Sequence, residues 1–177
     1  GRVWGPGLLD AGVENGRAFV VTEWVEGSSL DGARADAQKV WAVLHAVARS
    51  LEELHDAGVR HGDVKPENIL LHARAPSRDV PAERAATLID LGLATRSGDA
   101  AQGGTARYAA PELRSGGDVG PRADVWALGV VVEELLDGAS NAGELRAIAR
   151  AMQSASPGAR PQPARLFERA ARELGLG

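Results

Sequence analysis

Three side chains that can act together on a phosphoryl group lie within the segment 61–68. The segment reads His-Gly-Asp-Val-Lys-Pro-Glu-Asn and is followed by the apolar run Ile-Leu-Leu. Asp63 can accept a proton, Lys65 can bind a phosphate as a cation, and the amide oxygen of Asn68 can bind a metal ion. One proline-containing turn before a short strand would hold all three groups.

A fourth candidate, Asp90, stands at the end of a second apolar segment. The sequence Leu-Ile-Asp-Leu-Gly over residues 88–92 is typical of a buried strand that ends in a turn. A carboxylate at a strand end is held firmly enough to bind a metal ion, and Gly92 lets the chain turn sharply because it has no Cβ. The alternative is that Asp90 only caps a turn.

Length and composition predict a single soluble domain. The chain has 177 residues, no cysteine, and 20 basic against 24 acidic residues, which gives a net charge of −4. We therefore expect no disulfide framework and no nucleic-acid or membrane-surface partner. No apolar run approaches the roughly 20 residues that a membrane span needs, and there is no signal-peptide pattern, so we expect a cytoplasmic protein. Because the chain begins at Gly1 and not at Met, we expect it to be processed or part of something longer.

The residues before the loop predict a hairpin and one long helix. Strands are expected at 7–10 and 18–24, with turn chemistry at 12–16 between them. A helix is expected over 36–57, with Gly58 as its C-terminal stop. Its apolar residues recur at intervals of four and three, which predicts a face packed on the core. These residues are Val40, Leu44, Val47, Leu51 and Leu54.

Beyond the loop, the pattern predicts short strands and then helices. We expect a strand near 69–71, an insertion at 72–86, a strand at 87–89, a mobile Gly-rich loop at 92–104, and helices at 122–137, 144–153 and 163–174. The helix 122–137 is apolar nearly all round, which predicts burial at the centre of the domain. The whole chain is therefore expected to be one mostly helical unit with a little sheet.

Four motifs resemble those of protein kinases and occur in the same order. The segment 61–68 resembles H-R-D-L-x-x-x-N, and Asp90 begins a D-F-G-like triplet with Leu91 as the apolar plug in the Phe position. Residues 104–112 resemble the G-T-x-x-Y-x-A-P-E segment of Ser/Thr kinases, and 122–129 resemble the start of their central helix. The chain is thus identified as a member of the protein kinase superfamily, of the bacterial Ser/Thr type. The resemblance implies an α+β, protein-kinase-like fold.

The resemblance also implies roles for the loop residues, with ATP and Mg²⁺ as cofactors. Asp63 would receive the hydroxyl proton of the acceptor, and Lys65 would lie against the γ-phosphate. Asn68 and Asp90 would hold Mg²⁺ between the phosphates. Lys65 together with Thr105 favours a protein substrate with a Ser or Thr acceptor over one with Tyr.

The segment 22–25 resembles the connection between the two kinase lobes. By that resemblance, adenine would bond to the backbone of Glu23 and Val25, and Leu70 would pack beneath the ring. The alternative is a simple hydrophobic strand end. We expect residues 1–27 to be the end of the upper lobe with this hinge, and 28–177 to be the lower lobe.

Three further residues gain supporting roles from the resemblance. Asp124 would tie down the backbone of the catalytic-type loop. Glu112 would form a buried ion pair with Arg160, the alternative being two surface charges worth little.

Several family features are missing or altered. A kinase would carry a Gly-rich loop, a strand Lys and a helix Glu before Gly1, so we expect this chain to be a fragment with a bare strand edge that favours association. Gly62 replaces the usual Arg, which makes regulation by activation-loop phosphorylation doubtful. The segments 30–36 and 138–144 are short, so the substrate-docking surface is expected to be reduced or supplied by another chain.

Two other functions remain open at this point. A small-molecule phosphotransferase of the aminoglycoside-kinase type shares the H-G-D-x-x-x-x-N loop, but Lys65 and the Ala-Pro-Glu segment 110–112 argue against it. A pseudokinase acting as a binding or scaffold module fits the absent upper lobe and Gly62. It fits less well with the retention of Asp63, Lys65, Asn68 and Asp90.

Overall fold

The secondary structure is that of an α+β fold in which helices dominate, as predicted. The computed structural model describes residues 5–72, 85–91, 95–96, 105–114 and 120–175. The strands are β1 Leu8–Glu14, β2 Arg17–Thr22, β3 Ser28–Ser29, β4 Val59–Arg60, β5 Ile69–Leu71, β6 Ala86–Leu88 and β7 Thr95–Arg96. The helices are α1 Ala37–Asp56, α2 Pro111–Arg114, α3 Arg122–Leu135, α4 Gly143–Met152 and α5 Pro163–Glu173.

The strands form three small antiparallel sheets. Their orders are β1-β2, β3-β5-β6 and β4-β7. The predicted strand at 69–71 is confirmed, and the next strand begins one residue earlier than predicted, at Ala86. The predicted insertion 72–86 and loop 92–104 lie mostly outside the described residues. Within the second, Thr95 and Arg96 pair with Arg60 and Val59.

The hairpin β1-β2 is confirmed, but its turn is shorter than the predicted 12–16. The turn lies at Asn15 and Gly16, whose φ angles are 51° and 75°. Gly12 instead belongs to β1, where a Cβ would lie only 2.9 Å from the Phe19 ring. Gly12 therefore leaves room for the Phe19 ring on the opposite strand, and it does not form a turn.

Helix α1 has the predicted ends and the predicted buried face. The Asp36 side chain accepts a hydrogen bond from Lys39 N at 2.9 Å, which caps the N-terminus. Gly58 follows the C-terminus with φ of 73°, a backbone conformation that favours glycine. The predicted apolar face packs in the main core, fully buried except for the partly buried Leu54. This face gives the loop that follows α1 a rigid support.

Helix α3 lies at the centre of the core, as its composition predicts. It is buried on most of its surface and ends at Leu135, two residues before the predicted end. Helix α4 packs closely on it, since a Cβ at Gly129 would lie 2.8 Å from Met152 Cβ. The predicted helices 144–153 and 163–174 are confirmed as α4 and α5, each within one residue at either end.

The hairpin β1-β2 exposes a large apolar surface. Leu8 is 67% exposed, Val13 72% and Val20 62%, and Trp24, which follows β2, is 89% exposed. Among the described residues the hairpin pairs with no other strand. No helix in the described ranges is both long and apolar enough to cross a membrane.

Candidate active site

Asp124 at the start of α3 holds the backbone of the loop 61–68. Its carboxylate accepts hydrogen bonds from His61 N at 2.8 Å and Gly62 N at 2.9 Å. The residue is only 2% exposed, so these charge-assisted bonds are shielded from water. Gly62 has φ of 84°, where a side chain would be strained. The backbone role predicted for Asp124 is confirmed by these contacts.

The third partner of Asp124 is His55, which the sequence analysis did not find. His55 Nε2 lies 2.9 Å from Asp124 Oδ2 and donates to it. A signal was present, because His55 follows Leu51 by one helical repeat of four residues. That spacing places His55 on the buried face of α1, at the end next to the loop.

His61 connects the loop to the strand end that carries Asp90. Its Nε2 lies 3.1 Å from Ile89 O, and its Nδ1 accepts from Asp63 N at 3.3 Å. Burial lowers the pKa of His61 despite the opposing fields of Asp124 and other carboxylates. The ring is therefore neutral, with the proton on Nε2, which is the form that both bonds require. Ile89 N also donates to Asn68 O at 2.9 Å.

Asp63, Lys65 and Thr105 form a closed network at the mouth of the loop. Lys65 Nζ lies 2.6 Å from Asp63 Oδ2. Thr105 Oγ1 lies 3.3 Å both from Asp63 Oδ1 and from Lys65 Nζ. Burial alone would raise the pKa of Asp63, but Lys65 and Thr105 outweigh it and hold that pKa below its ordinary value. The bond to Asp63 raises the pKa of Lys65, so both groups are charged at neutral pH.

The two predicted metal ligands, Asn68 and Asp90, both lie near this network. Asn68 Nδ2 donates to Asp63 O at 2.9 Å and to Asp63 Oδ2 at 3.2 Å. Among the described residues, no hydrogen bond engages Asn68 Oδ1, the atom type that Mg²⁺ binds. Asp90 is close enough to raise the pKa of Lys65 through its field, and it sits at a positive φ of 67°. An amide oxygen, a carboxylate and a nearby ammonium fit Mg²⁺ together with a polyphosphate.

Leu91 does not form the apolar plug that the sequence suggested. It is 46% exposed, whereas Ile89 before it is partly buried against the loop. In the described residues, the strand end is held by the backbone and ring contacts of His61 and Asn68 with Ile89, and not by packing of Leu91.

The predicted adenine-binding residues lie on adjoining segments. The backbone of Gly27 lies close to Leu70, because a Cβ added at Gly27 would be only 3.0 Å from Leu70 Cβ. Glu23 N donates to Gly7 O at 2.8 Å, so of the Glu23 backbone groups only the carbonyl can serve a ligand. Val25 and Leu70 are partly buried. The partly buried Leu70 on β5, beside the segment 23–27, fits a flat ring.

The predicted pair of Glu112 and Arg160 is buried and bidentate. Arg160 Nη1 lies 2.6 Å from Glu112 Oε1, and Arg160 Nη2 lies 2.7 Å from Glu112 Oε2. The Arg160 side chain is 0% exposed, and its guanidinium stacks 5.1 Å from the centre of the Trp126 ring. It also donates to Ser154 O and Arg122 O. Burial would raise the pKa of Glu112, but the bonds from Arg160 lower it overall.

Tyr108 and Glu134 form a second link between the 105–110 segment and α3. Tyr108 Oη donates to Glu134 Oε2 at 3.1 Å, and Arg107 Nε lies 2.8 Å from Glu134 Oε1. Burial and the field of Glu134 raise the pKa of Tyr108 to about 12. The sequence analysis missed this contact, because nothing in local spacing pairs residues so far apart.

Comparison with known proteins supports the class that this fold and site define. The sequence matches the protein kinase domain family over residues 7–156, and the chain belongs to that family.

Several relatives are named Ser/Thr protein kinases. Serine/threonine-protein kinase PknD of Mycobacterium tuberculosis is 38% identical over 154 residues, which cover 78% of this chain and 22% of that protein. PknL of the same species is 36% identical over 141 residues, with 74% and 33% covered. STE20 of Saccharomyces cerevisiae is 30% identical over 135 residues, with 74% and 14% covered. The chain therefore spans at most about a third of the length of these relatives.

Proposed function

We propose that the protein containing this chain transfers the γ-phosphoryl group of Mg-ATP to Ser or Thr hydroxyls of protein substrates. The observation that carries the proposal is the network of Asp63, Lys65 and Thr105, with its distance of 2.6 Å between carboxylate and ammonium. This network stands on a loop whose backbone Asp124 fixes. Phosphoryl transfer asks a protein mainly for such positioning and for charge near the phosphates.

Asp63 is the proposed acceptor of the substrate hydroxyl proton. Its lowered pKa keeps the carboxylate ionised and able to accept a hydrogen bond. Bonds from Asn68 and Thr105 restrict its orientation, which matters because a general base must lie within hydrogen-bond reach of the proton. A positioned base of this kind contributes roughly 10²–10⁴ in rate.

Lys65 is the proposed cation at the γ-phosphate, and Asn68 and Asp90 are the proposed holders of Mg²⁺. When bound, the metal ion would neutralise phosphate charge and align the transferred group. Lys65 has a raised pKa, so it remains an ammonium in the presence of substrate. Adenine is proposed to bond to the backbone of Glu23 and Val25 and to lie on Leu70.

The contact of Thr105 with both Lys65 and Asp63 favours a protein hydroxyl over a small-molecule acceptor. The segment 105–114 reaches the site from one side and is anchored at its far end by the pair of Glu112 and Arg160. A peptide can lie along such a fixed segment, and its hydroxyl would then meet Asp63. The charged state of the whole network also argues for catalysis over a scaffold role.

An acceptor panel tests the proposal. The full-length protein would be given Mg-ATP with Ser, Thr and Tyr versions of one generic peptide, and with kanamycin as a small-molecule acceptor. We expect phosphate on the Ser and Thr peptides only. Transfer to kanamycin alone would favour the aminoglycoside-kinase type, and Mg-ATP binding in calorimetry without any transfer would favour a pseudokinase.

A further inference from the structure

Arg60 is a buried cation that has no hydrogen-bond or ion-pair partner for its side chain among the described residues. It lies on β4 directly before the loop and is only 3% exposed. Its Nε is buried without a hydrogen-bond partner. Across the described part of the chain, none of the ion pairs involves its guanidinium. Burying an unpaired charge is unfavourable, so such a side chain points to an anion that completes the site.

The Arg60 side chain lines a cavity of about 240 Å³ beside the catalytic-type loop. The cavity is far larger than the roughly 30 Å³ that one water takes in the liquid, so it can hold a tetrahedral anion. A second arginine, Arg114 at the end of α2, also lines it. Gly62 contributes no side chain, which leaves the space in front of Arg60 open.

The uncompensated charge in this cavity is positive. Its two carboxylates, Asp63 and Asp124, are already engaged elsewhere. Asp63 pairs with Lys65, and Asp124 accepts from two backbone amides and from His55. Neither carboxylate is bonded to Arg60 or Arg114. Of the described residues that line the cavity, two arginines from separate elements therefore face a space without a free carboxylate.

We propose that this cavity binds a phosphoryl group, with Arg60 as its principal ligand and Arg114 as the second. A phosphate dianion matches two guanidinium groups better than a single carboxylate does, and arginine is suited to bidentate phosphate binding. The source is either a phosphorylated Ser or Thr side chain or free phosphate. Occupancy joins α2 to the strand that enters the catalytic-type loop. The proposal stands independently of the transfer activity.

Stability in phosphate gives a direct test on the 177-residue chain. The denaturation midpoint would be measured in sodium phosphate and in sodium chloride at equal ionic strength. We expect a saturable rise with phosphate, since a ligand that binds only the native state stabilises it. Arg60→Met should weaken the apparent phosphate affinity by about tenfold or more. Arg150→Met removes an exposed arginine on α4 and should leave it unchanged.

The chloride buffer separates this proposal from a merely structural role of Arg60. Because Arg60→Met removes an unpaired buried charge, the variant should be at least as stable as the wild type without phosphate. Lower stability in chloride, together with an unchanged response to phosphate, would overturn the proposal. If Arg60→Met does not fold, Arg114→Met decides: it should weaken the phosphate response, and an unchanged response counts against the site.

Three anions identify the class and source of the ligand. Inorganic phosphate, N-acetyl-phosphothreonine methylamide and acetate would each be titrated into the wild type. A stronger response to the phosphothreonine compound identifies a phosphorylated side chain as the ligand, and an equal or weaker one identifies free phosphate. An acetate response as strong as that to phosphate, or no anion response at all, contradicts a phosphoryl site.

Discussion

Buried and exposed ion pairs in this molecule differ in what their loss should cost. Glu112→Ala leaves the fully buried guanidinium of Arg160 without its bidentate partner. We expect a loss of about 3–5 kcal/mol in the free energy of unfolding, measured by chemical denaturation. Glu144→Ala is the matched control, because its pair with Arg169 is 47% and 40% exposed and should be worth about 0–1 kcal/mol. Equal costs for the two variants would contradict the assigned burial.

Residue identity alone explains only part of the site. Asp63, Lys65, Asn68 and Asp90 could be found from the sequence because chemistry and spacing mark them together. The roles of His55 and Glu134 are much harder to predict from the sequence. Each acts on a residue more than twenty positions away. Only the packing of α3 against α1 and against the 105–110 segment brings the partners together.

Between α1 and α5 lies a titratable group that should make stability depend on pH. The ring of buried His45 packs against the Phe167 ring, with 4.6 Å between the ring centres. Arg49 is the charged neighbour that affects the pKa of His45. Burial, assisted by Arg49, lowers the pKa of His45 from 6.5 to about 4. The unfolded chain therefore binds the proton first, so stability is present above pH 6.5 and is lost as the pH falls towards 4.

His45→Leu should flatten this pH dependence. The shift corresponds to about 3 kcal/mol across the window, at about 1.4 kcal/mol for each pKa unit. Denaturation midpoints of the wild type and His45→Leu, measured from pH 7 down to pH 4, give the comparison. We expect a clearly smaller slope in the variant, and parallel curves would show that His45 does not titrate in this way.

Element boundaries were predictable where a single local rule decides them. Asp36 and Gly58 set the ends of α1 through capping and positive φ. Gly58 was identified from the sequence as the stop, and the predicted start of the helix at 36 falls on the capping residue. Gly12 was misread because a glycine that admits a neighbouring ring looks the same in sequence as a turn glycine. The exposure of Leu91 could not be predicted either, since burial of one residue at a strand end depends on distant segments.

For the whole molecule, the exposed hairpin predicts self-association. Val13 and Val20 lie on one face of it, because the register pairs them with Ala18 and Ala11. The double variant Val13→Lys/Val20→Lys should shift sedimentation of the 177-residue chain towards the monomer, since charge on an exposed strand blocks edge and face contacts. Gln38→Lys, on the exposed side of α1, adds charge without removing apolar surface and should not. Identical sedimentation of all three proteins would show that the hairpin is not the contact.

Loss of phosphoryl transfer on changing Asp63 tests the central claim most directly. The rate of γ-phosphate transfer to the Ser peptide would be measured for the full-length wild type, Asp63→Asn and Asp56→Asn. Asp56 is an exposed carboxylate at the end of α1, so Asp56→Asn should match the wild type. We predict that Asp63→Asn lowers the rate by roughly 10²–10⁴ without unfolding the protein. A rate for Asp63→Asn equal to that of Asp56→Asn would contradict the assignment of this loop as the phosphoryl-transfer site.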